Sequence, residues 1–327
     1  MSPGATLECA DMDPLTGLLD GPRARGAFAL RCVMSPPWGL RILAESPLTL
    51  IAVVSGKVWI VHDNGETVEL GVGDVAITSG RNHYTVAGDP ETEPEIVIHP
   101  GQDCRSPDGE SLEEQLMHGV RTWGNDPHGS TVMLVGAYES VGDLSDRLVR
   151  ALPPLLWLSK QEDDWESSLF PMLCEEVVKD EPGQAAVLDR LIDLLVMQVL
   201  RAWFARPGAE GPAWYRSQAD PVVGRALKIM HGDPARRWTL ATLAAEIGVS
   251  RAALARRFHE VVGEPPMTFL TEWRLALAAD LLCEPDATVG TVAPKVGYSS
   301  PFALSTAFKR VRGVSPQEHR ARAISPA

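Results

Sequence analysis

At 327 residues the chain exceeds one ordinary domain, and two or three are expected. Its 30 Lys/Arg against 43 Asp/Glu give a net charge of −13, and the composition is that of a soluble globular protein. There is no run of about 18 apolar residues, which argues against a transmembrane span. The opening Met1-Ser2-Pro3-Gly4 has no basic region leading into an apolar stretch, which argues against a secretion signal. A cytoplasmic location without a membrane partner is therefore expected. The five cysteines, Cys9, Cys32, Cys104, Cys174 and Cys283, are odd in number and form no Cys-x-x-Cys pair, against a disulfide framework or a zinc site.

Residues 1–15 read as loosely ordered, with a short helical turn at Leu15 to Leu19. From Ala27 to about Val86 short β-prone runs take over. Phe28–Val33, Leu48–Val54 and Lys57–His62 are three of them, and the last stops at Asp63-Asn64-Gly65, a hairpin signal. Thr67–Leu70, the turn Gly71-Val72-Gly73-Asp74 and Val75–Thr78 follow. Strands this short and evenly spaced predict a small barrel or jelly roll. Residues 99–130 are rich in Gly, Pro and Asp, and a loop that long is usually functional or mobile. Ser130–Tyr138 reads as a returning strand. Helical periodicity then covers Trp165–Lys179 and Gln184–Phe204. In the second helix Leu188, Leu191, Ile192, Leu195, Val196, Val199, Leu200 and Trp203 form one broad stripe, open to two readings: packing on the barrel, or a dimer seam. Residues 206–218 read as a linker.

The last ninety or so residues carry one pattern twice. Leu243-Ala244-Ala245-Glu246-Ile247-Gly248-Val249-Ser250 leads to Leu254, Phe258 and Gly263, and Val292-Ala293-Pro294-Lys295-Val296-Gly297-Tyr298-Ser299 leads to Leu304, Phe308 and Gly313. The turn glycines are 49 residues apart and the phenylalanines 50. A short apolar helix, a glycine turn and a serine-capped second helix make a helix-turn-helix, whose second helix lies in the DNA major groove. The spacing predicts helices at Leu240–Ile247 with Thr239 as N-cap, at Arg251–Val262 with Ser250 as N-cap, at Thr268–Cys283, at Val289–Val296 and at Pro301–Arg312. Charge agrees. Residues 219–327 hold 14 Lys/Arg and 10 Asp/Glu, net +4, which leaves 16 and 33, net −17, for residues 1–218. The basic end suits phosphate binding, and the acidic part should stay clear of DNA.

The candidate DNA contacts are Ser250, Arg251, Ala252, Arg256 and Arg257 in the first unit, and Ser299, Ser300, Ala303, Thr306, Lys309 and Arg310 in the second, with Arg312 beside them. Arg can pair with guanine or bind phosphate. Taken singly, Arg251, Arg257, Arg310 and Arg312 fit phosphate contacts or solvated charges better than base reading.

The doubled pattern, with Gly263-Glu264-Pro265-Pro266-Met267, the Trp273-Arg274 helix, Val296-Gly297-Tyr298-Ser299-Ser300, Ala307-Phe308-Lys309-Arg310 and Gly313-Val314-Ser315-Pro316, resembles the C-terminal domain of the AraC/XylS family of transcription regulators. The resemblance covers roughly residues 220–322. It implies that the two second helices enter successive major grooves, and that Arg256 stands where the family often places a base-reading arginine. Three positions depart from the pattern. Pro294 falls inside a helix, where its ring should kink it; Thr306 stands where an arginine is common; His319 stands where an aromatic is usual. The second unit is accordingly expected to read DNA more weakly.

Asp13-Pro14-Leu15, Pro37-Trp38-Gly39, Val54-Ser55-Gly56, Gly71-Val72-Gly73-Asp74 and Arg81-Asn82-His83 resemble the cupin-like N-terminal domain of one branch of that family. This implies a barrel that senses a signal and helices that dimerise. The architecture expected is α+β and multidomain: a cupin-like barrel over 1–140, a helical dimerisation and linker segment over 141–218, and an all-α double helix-turn-helix over 219–327. His83 falls where a cupin's last metal-binding His would be, but no His-x-His pair precedes it, so no metal and no other cofactor is expected. His83, Trp38 and Trp59 are candidate effector contacts, with core or barrel-mouth roles as the plainer reading. Cys32, on a strand next to Pro36-Pro37-Trp38, is a candidate oxidant sensor, a buried small residue being the plainer reading.

The function expected is a DNA-binding transcription regulator rather than an enzyme. Its partners would be double-stranded promoter DNA, a small-molecule effector, RNA polymerase if it is an activator, and a second copy of itself as a homodimer. A cupin-type enzyme with an accessory helical domain lacks its metal ligands, and no Gly-x-Ser-x-Gly, phosphate loop or His-Glu-x-x-His offers another chemistry. An architectural DNA binder without an effector leaves the large acidic barrel unexplained.

Overall fold

Apolar residues at a period of two write the first half of the chain into strands. The computed structural model describes residues 27–79, 82–138, 149, 152–163, 165–206, 217 and 220–324. The helical turn expected at Leu15–Leu19 and most of the expected linker lie outside these. Thirteen strands are described: β1 (Ala27–Met34), β2 (Gly39–Ile42), β3 (Leu48–Ser55), β4 (Val58–His62), β5 (Thr67–Leu70), β6 (Val75–Ser79), β7 (Tyr84–Ala87), β8 (Ile96–His99), β9 (Asp103–Arg105), β10 (Met117–Gly119), β11 (Thr122–Trp123), β12 (Thr131–Tyr138) and β13 (Leu155–Leu158). They form two sheets, in the orders β10-β11-β1-β12-β3-β6-β13 and β5-β4-β7-β2-β8-β9. One core joins the sheets, with Cys32, Met34, Ile51, Val53 and Met133 from the first and Leu40, Ile60, Leu70, Val86 and Ile98 from the second. The expected cupin-like barrel is present.

The central strands of the second sheet are short, and their partners are distant. Leu40 in β2 faces Val86 in antiparallel β7 and Ile96 in parallel β8. Four-residue strands with distant partners carry little local signal, so the sequence does not show β2, β7 and β8 one by one. The polar segment 99–130 is not an open loop. It contains β9, a short helix α1 (Glu113–Leu116), β10 and β11, and Arg31 in β1 faces Thr122 in parallel register.

Helices α2 (Leu169–Glu176) and α3 (Gln184–Ala205) lie on the outer face of the first sheet. Leu173, Val177, Leu188 and Ile192 meet Ala29, Leu50, Leu134 and Gly136 there. A Cβ on Gly136 would stand 3.1 Å from Ile192 Cγ2, so the missing side chain admits the helix. Tyr138 donates to Asp193 Oδ1 at 3.0 Å. This corrects the dimer-seam reading of the stripe: Leu188, Ile192, Leu195 and Val199 are buried within the chain, in the same compact unit as the barrel.

A second unit holds the remaining helices: α4 (Val223–Gly232), α5 (Leu240–Ile247), α6 (Arg251–Val262), α7 (Pro266–Leu282), α8 (Val289–Lys295), α9 (Pro301–Arg312) and α10 (Pro316–Ile324). The doubled text folds twice in the same way. Thr239 and Thr288 each close a capping box, with Thr242 and Thr291. Gly248 and Gly297 take φ of 85° and 80° between the paired helices, where a left-handed backbone favours glycine. Helix α7 is shared: Phe269 and Leu270 join the first unit's core with Leu254 and Phe258, and Leu275, Ala279 and Leu282 join the second's with Leu304 and Phe308. Pro294 falls in the last turn of α8, which ends at Lys295. His319 takes the place of the usual aromatic by packing edge-on against Phe308, with ring centroids 5.5 Å apart.

Candidate nucleic-acid interface and sensor cavity

Helices α6 and α9 are built alike, with a serine N-cap, Leu and Phe four apart facing inward, and a left-handed glycine at the end. The hydroxyls of Ser250 and Ser300 accept from Ala253 N and Ala303 N, each at 3.1 Å, so both serines shape their helices first. On α6, Arg251, Ala252, Arg256 and Arg257 are exposed. Arg256 is 77% exposed and only 3.9 Å from Glu260, a loose contact that leaves the guanidinium able to reach outward. Arg257 is held instead, at 2.8 Å from Asp220 and 3.6 Å from Glu260. Burial would raise the Asp220 carboxyl, but Arg257 and the N–H groups of Val222 and Val223 hold it below its ordinary value. That pairing holds the Arg257 guanidinium in place, where the Arg256 guanidinium is left loose. On α9, Thr306, Lys309 and Arg310 are exposed, Ser299 is exposed just before it, and Ala303 and Ser300 are half-buried.

The two units are clamped together. Arg274 of α7 donates from Nε to Pro234 O and from Nη2 to Arg236 O, both at 2.7 Å. A Cβ on Gly297 would stand 2.8 Å from the same Pro234 oxygen and 2.9 Å from Arg274 Nη2. The segment entering the first unit therefore touches the turn of the second, which sets the spacing of the two outward helices.

The barrel encloses a cavity of about 680 Å³, within the range of small-molecule sites. Leu30, Ile42, Ile51, Val86, Met133 and Val135 make much of its wall. Among the described residues, its charged lining is Glu113 and Arg121, both from segment 99–130, as is Gln102. Gln102 and Arg121 hold φ of 62° and 46°, left-handed backbones that side-chain-bearing residues seldom adopt. Such strain gathers where a site is being shaped.

A Cupin family model matches residues 13–205, more than half of the chain, and a Helix-turn-helix domain model matches residues 243–322. An AraC-like transcription regulator of Streptomyces lividans is 32% identical, over 96% of this chain and all of that one. The chain belongs to the AraC family of transcription regulators. Another relative, the HTH-type transcriptional regulator AlkR of Acinetobacter baylyi, is 27% identical over 94% of this chain and 99% of its own. Among solved structures, the DNA-binding domain of AdpA in complex with a target DNA is 34% identical, covering 33% of this chain and 97% of that one, with a TM-score of 0.30. The relatives are regulators along nearly their full length, so this AraC-family protein is a DNA-binding regulator and not a cupin enzyme.

In this regulator the candidate effector contacts lie away from the cavity. Trp38 is buried and packs over Gly88, Trp59 sits half-exposed between inward-facing Val58 and Ile60, and His83 is near the surface, 4.0 Å from Glu45. None of the three lines the cavity. Cys32 does line it, but burial pushes its thiol well up, and Cys104, itself raised to about 11 by burial, adds to the effect. Thiols held protonated are slow nucleophiles, which favours the plainer reading of Cys32 as a buried small residue. The lining residues on β1, β3 and β12 lay in strands the sequence revealed. Gln102, Glu113 and Arg121 lie in segment 99–130, whose sequence reads as loop. Among the described residues no group of His, Cys, Asp and Glu is placed to hold a metal ion, and no helix is long and apolar enough to cross a membrane.

Proposed function

We propose that this regulator binds promoter DNA with α6 and α9 in successive major grooves, under the control of an apolar small molecule held in the barrel cavity. The cavity carries the effector reading: apolar walls to bury a hydrocarbon body, and Arg121, Glu113 and Gln102 to orient one polar group. The matched caps, cores and exposed rows of α6 and α9 support the groove reading, with Arg256 as base reader and Arg251, Arg257, Lys309 and Arg310 on phosphates. The protein works in the cytoplasm as a homodimer, and where it activates transcription its further partner is RNA polymerase. The packed stripe of α3 leaves the opposite face for pairing, where Val187 is 45% and Leu194 53% exposed, seven residues apart.

Footprinting of the full-length protein on DNA upstream of its own and neighbouring genes tests this. A discrete protected site of about two helical turns per monomer is expected, its occupancy changing with an apolar compound that displaces a fluorescent hydrophobic probe from the barrel. A protected site whose occupancy no such compound alters would remove the effector from the reading. Diffuse protection would remove sequence-specific recognition.

A further inference from the structure

Phe302 is the most exposed large apolar side chain among the described residues, at 81%. It stands in the first turn of α9. The core-facing Leu304 lies two residues on, so Phe302 points about 160° away from it. Thr306 and Lys309, four and seven residues on, share its outward row. The matching row of α6 is Ala252, Arg256 and His259, because the serine caps, the inward Leu and Phe and the closing glycines align without a gap. Where the first unit presents a methyl group and a long hydrogen-bond donor, the second presents an aromatic ring and a short hydroxyl.

A phenyl ring has no hydrogen bond to give, so the base edge it recognises is apolar. The major groove offers one such group, the C5 methyl of thymine. The N-terminal residues of a recognition helix are the ones that reach base edges. We propose that Phe302 reads a thymine methyl, so that the second unit selects bases by apolar contact where the first selects them with Arg256. This rests on α9 being a groove helix, and it gives the second unit a base contact in place of the arginine it lacks at Thr306.

The test uses duplexes selected by the full-length protein from a randomised pool, with each thymine of the protected site replaced in turn by deoxyuridine, which removes only the methyl. For the wild type, one such replacement should weaken binding about fourfold, the worth of roughly one buried carbon. Phe302→Ala, at an exposed site, should bind that thymine duplex and its uracil form alike, and Phe302→Leu should keep part of the difference. Arg256→Ala should weaken both duplexes and leave their ratio unchanged. A wild type indifferent to every replacement, or a fourfold effect that persists in Phe302→Ala, would overturn the proposal. So would a Phe302→Ala protein that binds DNA normally and fails only with RNA polymerase present, since the ring would then serve a protein contact. If Arg256→Ala and Phe302→Ala both bind like wild type, the groove-helix reading itself falls, and the proposal with it.

Discussion

Gly248 and Gly297 occupy the same turn in the two repeats, yet they are not equivalent. Around Gly248 a Cβ would meet nothing within 4 Å, so Gly248→Ala carries only the left-handed backbone cost, about 1–2 kcal/mol. At Gly297 the same methyl would press on Pro234 O, Ala235 O and the Arg274 guanidinium, all under 3 Å. Gly297→Ala should therefore cost more than Gly248→Ala, about 3 kcal/mol or above, and urea titration of the two variants would show it. Equal losses would mean that the contact between the repeats is soft. The turn itself was legible in the sequence, because glycine between two apolar helices has few other roles. The second duty of Gly297 was not, since Pro234 is 63 residues away and no local pattern links them.

The elements fall into those whose faces the sequence assigned and those whose partners it could not. Helices α5, α6, α8 and α9 appear nearly where their caps and inward Leu–Phe pairs place them. Periodicity gave α3 a broad apolar stripe but not its partner; the first sheet, through Gly136, takes that stripe. This leaves a sharp contrast between neighbours. Leu194→Asp, on the exposed face, should convert a dimer to a monomer with little change in helix content. Leu195→Asp, fully buried, should unfold the barrel-and-helix unit, because a lone charge cannot enter that core. Sedimentation velocity with circular dichroism separates the two. A Leu194→Asp protein that remains dimeric would move the interface elsewhere.

Across the whole molecule, charge is divided, net −17 over residues 1–218 and +4 over residues 219–327. A DNA complex built on exposed Arg and Lys of the basic part should lose affinity steeply with salt, log K falling by roughly 0.9 per phosphate neutralised for each unit of log salt. Lys309→Ala and Arg310→Ala should each flatten that slope by about 1, measured by fluorescence anisotropy at several salt concentrations. An unchanged slope would place those side chains away from phosphate. Arg257→Ala should flatten it too, since Asp220 aims that guanidinium without burying it.

The sequence by itself determined what local physics controls: a barrel of short strands, two capped helix-turn-helix units, and the separation of acidic from basic halves. Helix period, N-caps and turn glycines act within a few residues and repeat visibly. Tertiary structure decided the rest. The cavity exists because β1, β3 and β12 face β2, β7 and β8 across the barrel, and Arg121 and Glu113 reach it from a segment that reads as loop. Trp38, Trp59, His83 and Cys32 stand out in the sequence by their chemistry, but chemistry at a site depends on what surrounds it, and folding buries Trp38 and Cys32 and places Trp59 and His83 at or near the surface, off the cavity. Phe302 was hidden for the opposite reason. An aromatic residue is read as core until the fold shows it pointing outward.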